Sequence, residues 1–156
     1  MATKYEKRTN IRKQTWLSDS AYRSIYRRVP RLCVDFVIRD QRGIVLSQRD
    51  IPPAKGKWHF PGGRVRMQER LEDALKRICR EETGMKVKIE KGIGVIEYLR
   101  LGGWGHSVSV IYLVRPVGGK LYGSVQARNI SFFKSLPEHT MHEVKDFLIK
   151  NRLIRK

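Results

Sequence analysis

Apolar and polar positions alternate in six short stretches of this chain and switch to a helical period in three others. Runs rich in Val, Ile, Leu and aromatic residues cover 32–39, 43–48, 56–60, 86–98, 106–115 and 128–133, and each predicts a β-strand. Asp40-Gln41-Arg42-Gly43 reads as the hairpin turn between the first two. At 69–83 the period changes. Leu71, Ala74, Leu75, Ile78 and Cys79 recur at i, i+3, i+4, i+7 and i+8, the apolar stripe of an amphipathic helix, with Gly84 as its C-cap. A first helix is expected near 18–28 with Ser18 as N-cap. A last one is expected within 139–154, where Met141, Val144, Phe147, Leu148 and Leu153 supply the apolar side. Strands enclosing helices predict an α/β fold with a mixed sheet between helices.

The helix at 69–83 carries a second line of residues. Glu69, Asp73, Arg77 and Glu81 stand four apart, so Arg77 has a carboxylate one turn away on either side. Glu82 lies one turn beyond Ile78 and continues the apolar line, where a carboxylate is expensive unless paired or holding a metal. Ahead of the helix, His59-Phe60-Pro61-Gly62-Gly63 reads as a short strand breaking into a turn where backbone can approach a ligand closely. On pattern alone, a solvated helix face with i,i+4 ion pairs explains the charges equally well.

The segment Gly63, Glu69, Arg77, Ile78, Cys79, Arg80, Glu81, Glu82, Thr83, Gly84, Met85 resembles the signature of the Nudix hydrolases. The signature is Gly, five residues, Glu, seven residues, then Arg-Glu-apolar-any-Glu-Glu-any-Gly-apolar. Every constrained position agrees except Ile78, where the family usually has a metal-binding Glu. The upstream Trp58-His59-Phe60-Pro61-Gly62-Gly63 is also Nudix-like. The resemblance implies the Nudix α/β/α sandwich with a mixed β-sheet, as a single domain over 1–156 whose residues 1–16 form a basic, flexible lead-in. Asp35, Arg49 and Pro61 to Val65 further resemble the GDP-mannose mannosyl hydrolases, which lack the same Glu. That likeness implies attack by water at the sugar's anomeric carbon with release of GDP whole, where most relatives attack phosphorus. A single Mg²⁺, or Mn²⁺ in its place, suffices to neutralise a leaving diphosphate, since Mg²⁺ accepts water and phosphate oxygens as ligands. Loss of the Glu at Ile78 agrees with this chemistry and equally with an inactive site.

The resemblance also implies residue roles. Glu82 would be the metal carboxylate, the Gly62 carbonyl a second ligand and Gln126 a third. Arg49 would hold the departing diphosphate, a task suited to a bidentate guanidinium. Arg64 is a second diphosphate contact, and Asp35 would act near the leaving group or nucleotide. Glu69 and Arg77, with Gly63 and Gly84, would hold the loop–helix turn. The mannosyl hydrolases place a general-base His directly after their Gln; here Ala127 occupies that position. His106 and Glu81 are the substitutes for that base. Trp104, in a Gly-rich loop, would stack on a base, close over the sugar or pack on a neighbouring subunit. A homodimer is implied by the resemblance.

Charge widens the choice of partner. Lys+Arg number 33 against 15 Asp+Glu in 156 residues, a formal net charge of +18. Such a surface attracts nucleotide diphosphates, and also RNA, DNA or an anionic membrane. An RNA-processing or nucleic-acid-binding Nudix protein, and a ligand sensor without turnover, are therefore the alternative classes. No RNA-recognition motif accompanies the basic run, and aromatics do not interleave with it. Cys33 and Cys79 read as small core residues, with neither a metal motif nor a disulfide framework. The N-terminus lacks the apolar core of a signal peptide, and no membrane span is expected, so a cytoplasmic location is the default.

Overall fold

The computed structural model describes residues 17–52, 54–99, 105–124, 127 and 129–154. Its elements are α1 (Asp19–Tyr26), β1 (Arg31–Asp40), β2 (Gly43–Gln48), β3 (Trp58–His59), β4 (Gly62–Arg64), α2 (Leu71–Thr83), β5 (Met85–Tyr98), β6 (Ser107–Gly119), β7 (Asn129–Phe133) and α3 (His142–Lys150). The sheet runs β3-β2-β1-β6-β5, with β4 paired to β1 and β7 to β2. β1 and β6 are parallel from Arg31↔Ser107 to Ile38↔Val114, whereas every other strand pair is antiparallel. The sheet is therefore mixed, with helices on both faces.

β1 explains that layering. Residues 34–38 are all buried, the run expected of a strand covered on both sides. Val34, Phe36 and Ile38 enter one core with Ala74, Leu75, Ile78 and Cys79 of α2. Val37 faces the other, with Ile111, Leu113 and the α3 residues Val144, Phe147 and Leu148. Alternation along one strand thus feeds two cores. α1 differs: none of its residues is fully buried, and Ser18 Oγ accepts the Ala21 N–H as its cap. No helix among the described residues is long and apolar enough to cross a membrane.

The observed elements depart from the sequence expectation in three places. The run at 56–60 is not one strand. Trp58–His59 pairs with β2, and after Pro61, which has no N–H to donate, the chain pairs with β1 as β4. α2 starts at Leu71 rather than Glu69, because Glu69 is engaged in the preceding turn, where its N–H donates to the Arg66 carbonyl and its carboxylate accepts the Arg66 N–H. The apolar stripe of α2 ends at fully buried Thr83, leaving Glu82 half-buried at its margin. Gly84 closes the helix in the left-handed conformation (φ 68°), and a Cβ there would collide with the Tyr122 ring.

Candidate active site

Gly62 lies opposite Asp35 where β4 meets β1. The flanking bonds Phe36 N–H to Pro61 O (3.1 Å) and Val65 N–H to Leu32 O (3.0 Å) place the Gly62–Asp35 pair in the non-hydrogen-bonded position of the ladder. The Gly62 carbonyl therefore points away from β1. A side chain is impossible here, since a Cβ would run into Asp35 Oδ1 and the Val34 carbonyl. Glycine is therefore what lets the Asp35 carboxyl pack against this backbone.

Glu82, near the C-terminal end of α2, is half-buried. Burial pushes its carboxyl above the usual range, the Ser124 hydroxyl opposes by donating to Oε2 (3.2 Å), Glu81 raises it further and Arg49 lowers it. Arg49, just past β2, is half-buried. Burial lowers its proton affinity, the Arg31 charge adds to this, and Glu82 and Tyr98 act against both. Arg49 thus stands in the electrostatic field of both Glu82 and Tyr98.

Tyr98 connects this pair to Asp35. Its hydroxyl donates to Asp35 Oδ2 at 3.3 Å. Asp35 is only 8% exposed. Burial pushes its carboxyl up to about 7, and hydrogen bonds from Ser109 and Tyr98 hold it from rising further. His59 responds in the opposite sense, pushed down to about 4 by burial and by Arg49, with its bond to Phe60 O opposing. Its Nδ1 faces the Phe60 carbonyl, which can only accept, so Nδ1 carries the proton and Nε2 accepts from Ser47 Oγ (3.4 Å). The site accordingly combines a carboxyl titrating near neutrality, a neutral imidazole, a guanidinium and a half-buried carboxylate.

Glu69 and Arg77 form a two-point ion pair behind it. Arg77 Nε and Nη2 donate to the two Glu69 oxygens at 2.7 and 2.8 Å, and Nη2 also reaches the Arg64 carbonyl at 3.2 Å. These bonds tie the loop that follows β4 to α2. Glu81 is 52% exposed and held by Arg77 (3.1 Å) and Arg66 (3.8 Å). Arg64 donates to the Tyr26 hydroxyl at 3.0 Å and lies over the Tyr22 and Tyr26 rings.

The NUDIX domain family matches residues 29–150. The chain belongs to the Nudix hydrolase family. It is 42% identical over 84 residues to the low-salt glycan biosynthesis protein Agl8 of Haloferax volcanii, a match covering 54% of each chain. It is 32% identical over 124 residues to an ADP-ribose pyrophosphatase of Methanocaldococcus jannaschii, covering 76% of this chain and 73% of that one. A MutT Nudix hydrolase of Burkholderia pseudomallei superposes with a TM-score of 0.68 at 25% identity, over 78% of this chain and 97% of that one. The chain spans about half the length of the haloarchaeal relative.

Against the Nudix signature, Ile78 is buried (3% exposed) among Val34, Leu75 and Cys79, so this turn of α2 has packing where the motif usually has a metal carboxylate. Among the described residues no group of three His, Cys, Asp or Glu is gathered for a metal. The available donors, half-buried Glu82 and the outward carbonyl of Gly62, fit a Mg²⁺ or Mn²⁺ that draws its other ligands from water and phosphate. Asp35, Arg49, Glu82 and Gly62 are linked as described above. His106 is not joined to them: among the described residues its Nε2 is buried without a partner, and its carbonyl accepts the Arg31 N–H. Glu81 is held by Arg77 and Arg66. Gln126 and Trp104, and the segment 1–16, lie outside the described residues. Ala127 is buried and exchanges backbone hydrogen bonds with Ser124, and its methyl side chain carries no base. Sequence reasoning missed Tyr98, Ser109, Ser124 and Arg31. Each finds its partner on an element distant in the chain, which no local pattern signals.

Proposed function

We propose that this Nudix hydrolase is Mg²⁺-dependent and cleaves a nucleotide sugar such as GDP-mannose at the anomeric carbon, releasing GDP and free sugar. The observation that carries the reading is Ile78, packed in the core where a second metal carboxylate would be needed for several metal ions to activate water at phosphorus. Glu82 and the Gly62 carbonyl, with Gln126 by resemblance, would hold one Mg²⁺ or Mn²⁺, which supplies charge neutralisation on the leaving diphosphate. Arg49 binds that diphosphate with a planar fork suited to phosphate oxygens. Asp35, pushed up to about 7, accepts a proton from the attacking water at neutral pH. Tyr98 orients that carboxyl through its hydrogen bond. The water oxygen bonds to the anomeric carbon, the carbon–oxygen bond to phosphate breaks, and the bridging oxygen leaves with GDP. The glycan-biosynthesis name of the haloarchaeal relative agrees with a sugar substrate.

A second reading, attack at phosphorus on ADP-ribose, is favoured by the longer match to the Methanocaldococcus pyrophosphatase. One experiment separates the two. The protein is incubated with Mg²⁺ in ¹⁸O-water and a panel that includes GDP-mannose and ADP-ribose. Free sugar with GDP that carries no ¹⁸O supports attack at carbon. GMP with sugar phosphate, or AMP with ribose phosphate, overturns it in favour of phosphorus.

A further inference from the structure

Arg31 opens β1 and has no role in the reading above. It is half-buried, and its guanidinium is held by two neutral oxygens: Nε donates to Ser107 Oγ and Nη1 to the Tyr22 hydroxyl, both at 3.0 Å. Arg64, on neighbouring β4, is held in the same way by the Tyr26 hydroxyl at 3.0 Å. Tyr22 and Tyr26 stand one turn apart on α1, with ring centroids 4.6 Å apart. One face of α1 therefore presents two phenols, and each steers one arginine. Among the described residues neither Arg31 nor Arg64 has a carboxylate in salt-bridge reach.

Two half-buried guanidiniums without counter-charge are expensive, because desolvation disfavours the charged form and neutral acceptors compensate only in part. Both flank Cys33, whose thiol is pushed up to about 12 by burial and then by Asp35, against the pull of the two arginines, and so supplies no anion. The Arg31 charge also bears on Arg49. Arg31 and Arg64 thus meet around Cys33, where Arg64 is its cross-strand partner, and Arg31 also lies within electrostatic reach of Arg49; the group that fits among such guanidiniums is a compact polyanion.

We infer that Arg31, steered by Tyr22 and Ser107, is a further diphosphate-binding residue, completing with Arg49 and Arg64 a cradle for the pyrophosphate unit of the substrate. Its two engaged N–H groups fix the plane of the fork and leave its remaining donors for phosphate oxygens. α1 acts as a bracket: it has no fully buried residue of its own, and its tyrosines set the angle at which two arginines meet the anion. The net charge of +18 serves the approach of anions by diffusion, whereas the half-buried arginines select a short one.

The inference rests on the proposed nucleotide substrate only for the identity of the anion, so inorganic pyrophosphate is the probe. Its binding is measured by calorimetry with Mg²⁺ for the wild type and for Arg31→Ala, Arg31→Lys and Tyr22→Phe, beside guanosine as an uncharged control. Arg31→Ala is expected to weaken pyrophosphate at least tenfold and leave guanosine unchanged. Arg31→Lys should recover only part of the loss, because a point charge replaces the fork. Should Arg31→Ala fail to fold, Tyr22→Phe, which keeps the charge and removes its guide, should still weaken pyrophosphate by severalfold. Wild-type pyrophosphate affinity in these variants, or an equal loss for guanosine, overturns the assignment. Failure of the proposed reaction reads differently: pyrophosphate binding that depends on Arg31, with GMP or no product from GDP-mannose, removes the reaction and leaves the cradle.

Discussion

Asp35→Asn tests the electrostatics of the site without reference to any substrate. The carboxyl titrates near 7 in the fold and near 3.8 when free of it. Between those values the native state binds more protons than the unfolded chain, so stability falls as pH rises. The destabilisation begins near the unfolded value and is complete above the folded one. Integrating the two titrations gives a penalty of about 1.7 kcal/mol at pH 5 and about 4 kcal/mol at pH 8, a growth of about 2–3 kcal/mol. His59 has the opposite sign. Its folded value near 4 lies below the free value of 6.5, so its neutral burial contributes stability that is present above pH 6.5 and lost as pH falls toward 4. The two slopes oppose each other between pH 4 and 6.5, and a single pH profile of the wild type would conceal both. The difference between wild type and Asp35→Asn removes the His59 contribution. Urea denaturation of both proteins in metal-free buffer at pH 5 and pH 8 should show Asp35→Asn gaining on the wild type by about 2–3 kcal/mol between the two conditions. A difference that stays constant within about 0.5 kcal/mol would refute the claim that burial governs this carboxyl.

Three further variants probe other parts of the argument. Glu82→Gln should reduce Mg²⁺-dependent turnover at least about 100-fold while leaving the thermal midpoint within a few degrees, since Glu82 is a candidate metal ligand at the margin of the core; unchanged turnover removes it from the site. Arg77→Ala strips Glu69 of two charge-assisted bonds in a half-buried setting and should cost about 2–4 kcal/mol in chemical denaturation, with a loss below about 0.5 kcal/mol counting against the pair as a brace for the β4–α2 turn. Gly84→Ala forces a side chain into the left-handed cap and against Tyr122, and should lower stability by at least about 1 kcal/mol, a loss that Tyr122→Ala in the same background should partly relieve.

Periodicity was sufficient where burial alternates along one element. The stripe of α2, the pairing hairpin at Asp40–Gly43 and the apolar side of α3 were all legible, because each depends on contacts within a few residues or on one continuous face. The split of 56–60 was not, since it turns on which neighbour each half pairs with, and Pro61 marks only where the change occurs. Of the candidate site, Glu82 was readable from its place one turn beyond Ile78. Gly62 was readable from the resemblance, and the ladder register then explained why its carbonyl faces outward. Tyr98 and Ser109 had no local sign. They reach Asp35 only because β6 pairs with β1 and β5 lies just beyond β6, and a Tyr or Ser at such a position looks like any other strand residue. Arg31 is one of 33 Lys and Arg residues, and nothing in the sequence around it shows that its partners are hydroxyls.

The parallel pairing of β1 with β6 also has a consequence for how the chain assembles. Its first contact joins residues 76 apart in sequence, whereas the β1–β2 and β5–β6 pairs close over short turns or loops. Closing the longer loop comes at a larger entropy loss, so the two antiparallel units should form early and their union should limit the rate of folding. Until that union β1, apolar on both faces, has no cover on its β6 side. On the ribosome this interval lasts until residue 114 has emerged, and throughout it β1 offers an open apolar edge to other chains.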